Sequence, residues 1–240
     1  MNGACLEVVD FGGVGPLLMF LPGYGNGAHI FDDLAPNFID RYHVVALTPV
    51  ITEFGVRAPT RLTAAIYLDA AFDFGAAFRR SHRPAKVVPS DTLSAAFRAW
   101  RVRYDGWTRG AALASDVDDH HWEHLDTTDV KRRQALLGPL ASEVRSHPHQ
   151  PWRIAAPTLA LCATGSPDRA FGWLTPDSTR WRAATAEYEA TTRESAAECT
   201  RVRRNPAATT VLLDSGHYVF FDQRLLVIER MRQFLTHALR

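Results

Sequence analysis

The sequence contains only three cysteines among 240 residues, Cys5, Cys162 and Cys199. Their number is odd and their spacing is wide, so the pattern predicts neither a disulfide framework nor a zinc knuckle. Cys162 lies within an apolar run and is expected to be an inert buried thiol. The cysteine content therefore argues against a small domain stapled by disulfides or by a structural metal.

Long apolar runs are also missing. No segment approaches the roughly 20 apolar residues that a membrane-spanning helix needs. The first ten residues, M-N-G-A-C-L-E-V-V-D, contain neither a basic leader nor an apolar stretch, so no secretory signal is predicted. We therefore expect a soluble, cytoplasmic protein that does not bind a membrane.

Neither sign of charge predominates. The 27 Lys and Arg residues against 26 Asp and Glu residues leave a formal net charge of +1. This balance gives no electrostatic reason to expect nucleic acid or an anionic membrane as a partner. Hydrophobic residues make up 46% of the chain and charged residues 22%, which is typical of a globular protein. The length is sufficient for one domain with a sizeable core.

Short apolar runs alternate with amphipathic stretches along most of the chain. This alternation predicts an α/β fold, with a mostly parallel sheet covered by helices. Residues 17–21 form a continuous apolar run, which is typical of a strand buried on both faces. Strands are predicted over residues 6–11, 17–21, 43–47, 64–68, 158–163 and 209–213, and helices over 29–39, 51–57, 181–203 and 225–239.

Residues 74–150 differ in composition from the rest of the chain. They are rich in Arg, His, Asp and Trp, and residues 93–102 and 129–144 have the pattern of amphipathic helices. We interpret this segment as a helical cap insertion. The core would then consist of residues 1–73 and 151–240.

Five segments, in the same order along the chain, resemble the α/β-hydrolase superfamily. Residues 20–29, F-L-P-G-Y-G-N-G-A-H, resemble the loop that helps to form the oxyanion hole. Residues 209–221, T-T-V-L-L-D-S-G-H-Y-V-F-F, resemble the eighth strand and its catalytic histidine. The fourth, sixth and seventh strands are matched by residues 43–48, 61–71 and 154–163. The resemblance implies a serine hydrolase of the AB hydrolase-1 type, acting on small-molecule esters or amides.

The nucleophile elbow of that family, G-x-S-x-G between a strand and a helix, occurs nowhere in the sequence. Val50 joins Ile51 directly at the point where the family has its fifth strand and the elbow. The chain is shorter there by about 40–50 residues, the size of one strand–helix crossover with its loops. We therefore expect one central strand fewer than the family has. The strands equivalent to the third and sixth would then either close up or leave an unpaired edge.

No other residue replaces the missing serine convincingly. Thr52 is the nearest hydroxyl, but Val50 and Phe54 occupy positions where an elbow needs small neighbours. Ser166 follows a strand, but the next residue is proline and no helix begins there. We therefore assign no nucleophile, and we expect serine-hydrolase catalysis to be silent in this chain. The alternative is a non-catalytic protein that binds a small molecule on the same fold.

His217 is the catalytic base that the resemblance implies. Asp168, after the predicted strand at 158–163, is the expected partner that orients its imidazole ring, with Asp73 and Asp69 as alternatives. Each of these three aspartates can equally be an ordinary loop residue. The backbone N–H of Tyr24 would contribute to the oxyanion hole, where a simple glycine-rich turn is the other interpretation.

The segment at residues 116–124, D-V-D-D-H-H-W-E-H, raises the question of a metal site. His120 and His124 are four residues apart and could share one helix face, with Asp119 or Glu123 beside them. The pattern is not H-E-x-x-H, so a solvated cap surface is the favoured interpretation and a metal-dependent hydrolase the weakest hypothesis. We expect no metal and no cofactor, and a small-molecule substrate or ligand as the partner.

Overall fold

The computed structural model describes residues 8–23, 27–47, 61–71, 95–96, 99, 153–165, 167 and 174–239. Nearly all of the predicted cap, residues 74–150, and the helix predicted over 51–57 lie outside these ranges. The division into core and cap therefore stays a prediction.

The first sheet contains three strands, β1 (Val8–Gly12), β2 (Leu17–Phe20) and β3 (His43–Leu47). The strand β3 lies in the middle, antiparallel to β1 and parallel to β2. The predicted bounds of β3 are confirmed. The prediction that residues 17–21 are buried on both faces is wrong: Leu17 is 59% exposed and Met19 42% exposed. Side chains alternate along a strand, and here Phe20 is buried while Leu17 and Met19 lie on the exposed face.

The second sheet is entirely parallel. Its strands are β4 (Ala65–Leu68), β5 (Thr158–Ala163) and β6 (Ala208–Leu213), and β5 is the central one. All six residues of β5 are buried, as its continuous apolar pattern predicts. Because the three strands are parallel, their carboxyl ends meet at one edge of the sheet.

No hydrogen-bonded ladder joins the two sheets among the residues that the structure describes. By their order along the chain, β2 and β4 are equivalent to the third and sixth strands of the α/β-hydrolase pattern, between which the fifth strand would lie. The loss of that strand stays a prediction, since residues 48–60 lie outside the described ranges.

Three α-helices are described from end to end, and no helix among the described residues is long and apolar enough to cross a membrane. The helix α1 (Ser178–Thr200) begins after Asp177, whose carboxylate accepts the backbone N–H groups of Thr179 and Arg180 and so caps the helix. A short helix, α2 (Val219–Asp222), is followed at once by α3 (Arg224–Ala238). The predicted helix over 29–39 is instead a pair of 3-10 helices, Ala28–Phe31 and Ala35–Phe38.

One hydrophobic core connects the two sheets through α3. Val227, Met231 and Leu235 recur every four residues on α3 and are all buried. The same cluster contains Phe20 and Val44 from the first sheet, together with Leu161 and Leu213 from the second. The C-terminal helix therefore packs against the core that both sheets share.

Cys162 and Cys199 form a disulfide, which corrects the predictions of no disulfide and of an inert Cys162 thiol. Cys162 lies on β5 and Cys199 near the end of α1, and their Cα atoms are 6.5 Å apart. Both side chains are buried in a small core with Ala160 and Val202. Wide spacing in sequence is no guide here, because the helix packs directly over the strand.

Candidate active site

His217 lies at the carboxyl edge of the second sheet. The strand β6 ends at Leu213, residues 214–216 form a turn, and His217 follows just before α2. Asp69 is the first residue after β4, and β4 and β6 both run parallel to β5. The parallel arrangement therefore brings Asp69 and His217 to the same edge, although 148 positions separate them in sequence.

The Nδ1 atom of His217 lies 2.9 Å from Oδ2 of Asp69. The Asp69 side chain is only 14% exposed, whereas that of His217 is 50% exposed. A carboxylate that accepts a hydrogen bond from Nδ1–H orients the ring and stabilises the imidazolium that forms when Nε2 takes up a proton. The pair therefore has the geometry of a general base with its orienting acid.

The backbone of β5 holds the carboxylate of Asp69 in place. Its Oδ1 accepts the N–H of Ala163 at 2.7 Å, and the Asp69 backbone N–H donates to the carbonyl of Leu161. Asp69 adopts a φ of 51°, in the left-handed region that aspartate tolerates better than most residues other than glycine. One carboxylate oxygen thus binds the sheet while the other faces His217.

Backbone hydrogen bonds also attach the turn before His217 to the end of β5. The carbonyl of Leu213 accepts both the N–H and the Oγ1–H of Thr164, at 2.8 and 3.1 Å. The carbonyl of the buried Ser215 accepts the N–H of Gly165. The end of β5 and the two residues after it therefore support both members of the pair, Ala163 by its contact with Asp69 and residues 164–165 by their contacts with β6 and the turn before His217.

A series of aromatic side chains packs next to the histidine. The ring of Tyr218 is 5.2 Å from that of His217 and 6.0 Å from that of Phe220, in an edge-on arrangement with Phe220. Phe220 in turn packs against Phe31 of the first 3-10 helix, with ring centroids 5.6 Å apart. These contacts connect the histidine segment to the core and limit where its backbone can move.

Tyr67, on β4 just before the pair, contributes no charge to the site. Its burial raises the pKa of the phenol above its ordinary value. The phenol therefore stays neutral across the pH range in which histidine titrates.

The structure places only some of the predicted site residues. It brings His217 together with Asp69, which was an alternative in the sequence analysis. Asp168, Asp73 and Tyr24 lie outside the described residues. The same is true of Thr52, Ser166 and the cluster at 116–124. Within the described ranges, no group of three or more His, Cys, Asp or Glu side chains could hold a metal ion.

Sequence reasoning did not foresee the role of Ala163, whose backbone N–H fixes one oxygen of Asp69. A backbone donor leaves no signature in residue type. The position of Asp69 directly after a predicted strand was the available signal, because polar residues at that place lie at the functional edge of a parallel sheet.

No family model matches the chain, and no curated protein matches it in sequence. Solved structures do resemble it. An esterase from Thermogutta terrifontis is 12% identical over 97% of this chain and 93% of its own, with a TM-score of 0.51. An epoxide hydrolase from Bacillus megaterium is 14% identical over 96% of each chain, with a TM-score of 0.46. A loop variant of a haloalkane dehalogenase from Bradyrhizobium elkanii is 12% identical over 98% of this chain and 97% of its own, with a TM-score of 0.48.

The likeness to the esterase structure extends over nearly the whole of both chains. Together with the parallel second sheet and its helices, it confirms the α/β-hydrolase-like fold that the five sequence segments predict. At this level of identity the likeness concerns the fold, so function has to be argued from the site itself.

Proposed function

We propose that this chain carries the base and acid of a hydrolase active site for small-molecule esters or amides. In this proposal His217 accepts a proton at Nε2 and Asp69 orients the ring. The observation that supports it is the 2.9 Å contact between Nδ1 and Oδ2, formed at the sheet edge by residues that follow two parallel strands. Such a contact keeps the neutral imidazole protonated at Nδ1, which leaves Nε2 as the basic nitrogen.

The proposal includes a silent serine pathway. A histidine base promotes acyl transfer only when a hydroxyl or thiol nucleophile lies within its reach. The sequence contains no G-x-S-x-G, and neither Thr52 nor Ser166 has the flanking residues of an elbow. We therefore expect no covalent acyl-enzyme on a serine of this chain.

A fluorophosphonate probe tests the silent pathway directly, because it labels activated serines in a base-dependent manner. We expect neither the native chain nor H217A to be labelled, while an active serine esterase in the same tube is labelled fully. The hydrolysis of 4-nitrophenyl acetate should likewise show no burst. Labelling of the native chain that disappears in H217A would show that an active nucleophile is present and would contradict this part of the proposal.

The small-molecule site is tested separately by nuclear magnetic resonance of the histidine rings. The probe is N-(4-nitrophenyl)butanamide, an amide analogue of an activated ester. We expect the ring resonances of His217 to shift with saturation. Those of His237, an exposed residue on α3 whose Nδ1 lies 2.6 Å from the carbonyl of Gln233, should not shift. A response of neither histidine at the solubility limit of the probe would argue against this ligand class.

A further inference from the structure

We infer that Asp222 is a positioning residue for His217, acting through the backbone of the turn that precedes it. The inference rests on the proposed role of His217 as the base. Asp222 is the last residue of α2, and its Oδ2 accepts the backbone N–H of Gly216 at 2.7 Å. Gly216 immediately precedes His217, so this contact constrains the backbone position on the N-terminal side of the histidine.

The contact is of a strong kind. A hydrogen bond from a backbone N–H to a carboxylate is charge-assisted, and such bonds are shorter and roughly twice as strong as those between neutral groups. The Asp222 carboxylate also lies close over the glycine, because a Cβ atom at Gly216 would be 3.4 Å from Oδ2. The carboxylate therefore restricts the peptide group between Ser215 and Gly216.

Gln223, the next residue, holds the other end of the same turn. Its Nε2 donates to the carbonyl of Asp214 at 3.0 Å. The two anchors are presented by the end of α2, where the N–H of Asp222 donates to the carbonyl of Tyr218 and that of Gln223 to the carbonyl of Val219. The short helix thus returns the chain onto the turn at 214–216, with His217 between the turn and the helix.

Two aspartates therefore position the same histidine. Asp69 contacts the ring at Nδ1 and so sets its orientation. Asp222 accepts the backbone N–H of Gly216, on the N-terminal side of His217, and so sets the backbone position from which the ring extends. The hydrogen bond between Nδ1 of His217 and Oδ2 of Asp69 depends on their separation of 2.9 Å. A shift of the His217 backbone therefore weakens this bond without altering Asp69 itself.

The test is the tautomer of the neutral His217 ring in the full chain, measured from the nitrogen-15 shifts of Nδ1 and Nε2. In the native chain we expect Nδ1 to carry the proton. In D222A we expect the fraction protonated at Nδ1 to fall by about half or more, since an unsupported imidazole prefers the other tautomer. D222N keeps an acceptor oxygen for the Gly216 N–H and should retain most of the native fraction.

The matched control is E229A, on α3. Glu229 is exposed, and its Oε1 accepts a hydrogen bond from Gln233 Nε2 in the next turn of the same helix. Its removal should leave the His217 tautomer unchanged. A D222A protein that is folded and keeps the native tautomer would overturn the inference.

Should D222A fail to fold, D222L carries the test, because its branched side chain occupies similar space but offers no acceptor to the Gly216 N–H. A loss of the Nδ1-protonated form in D222L supports the inference, and an unchanged tautomer in D222L overturns it. The tautomer is read without any substrate. Failure of the positioning role is therefore distinguishable from failure of the proposed function, which the probe and the ligand titration test.

Discussion

The backbone N–H of Ala163 donates to Oδ1 of Asp69 at 2.7 Å, so the last residue of β5 holds the acid that follows β4. This contact leaves the other carboxylate oxygen for Nδ1 of His217. The His–Asp pair is thus assembled by the parallel sheet itself.

In D69N the side chain keeps its shape but loses one acceptor oxygen. With Oδ1 bound to Ala163, the amide NH₂ group faces Nδ1 and cannot accept a hydrogen bond from it. We expect the neutral ring of His217 to change to the Nε2-protonated tautomer, as measured by nitrogen-15 chemical shifts. The comparison variant is D168N, which should leave the tautomer as it is. The reverse pattern, a change in D168N alone, would identify Asp168 as the orienting acid.

Arg232 attaches α3 to the second 3-10 helix and to the turn that follows it. Its guanidinium binds both carboxylate oxygens of Asp40 and the carbonyl of Asn37, and lies 5.9 Å from the centroid of the Phe38 ring. In R232A we expect the free energy of unfolding to fall by about 1–2 kcal/mol, because a backbone hydrogen bond and a half-exposed ion pair are lost together. Urea unfolding measures the change.

Arg230 offers the matched control for that variant. It lies on the same helix and makes a long 3.4 Å contact with Gln233. R230A should change the free energy of unfolding by less than about 0.5 kcal/mol. Equal losses in R230A and R232A would mean that the Asp40 and Asn37 contacts contribute nothing specific.

Reduction of the Cys162–Cys199 bond should destabilise the chain. The bond closes a segment of 37 positions, for which the restriction of the unfolded chain corresponds to about 3–4 kcal/mol. We expect the midpoint of urea unfolding to fall on addition of a phosphine reductant. The double variant C162A/C199A should not respond to the reductant. Thiol counting on the denatured, unreduced protein should find one free thiol, and a count of three would contradict the disulfide.

Asp10 on β1 is expected to titrate below its ordinary value. The backbone N–H of Gly12 lowers the pKa of Asp10 from 3.8, and a side-chain hydrogen bond from His43 lowers it further. A carboxyl whose pKa is depressed in the folded state adds stability above its unfolded pKa of 3.8, and this contribution is lost as the pH falls through the folded pKa.

The variant H43A tests the order of these two causes. We expect the pKa of Asp10 in H43A to rise only part of the way to 3.8, because the larger cause, the Gly12 N–H, remains. A carbon-13 titration of the carboxyl measures it. A complete return to 3.8 in H43A would mean that the histidine, and not the backbone, is the main cause.

The strands could be predicted because they depend on local pattern. The apolar runs at 43–47 and 158–163 match β3 and β5 residue for residue, since a short apolar run can be identified without knowledge of its neighbours. The apolar spacing at 29–39 predicts one helix, but the chain forms two 3-10 helices, the second with a proline in its first turn.

The sequence by itself determined the α/β-hydrolase-like fold and indicated His217 as the candidate base, because the succession of strands along the chain and the residues after β6 are properties of consecutive positions. Tertiary structure alone decided that Asp69 meets His217, that Cys162 meets Cys199, and that one face of β2 is exposed. These outcomes depend on which strands and helices lie side by side. Tertiary packing brings together residues that lie 148 or 37 positions apart in sequence. The spacing of these residues along the chain does not indicate that they are in contact.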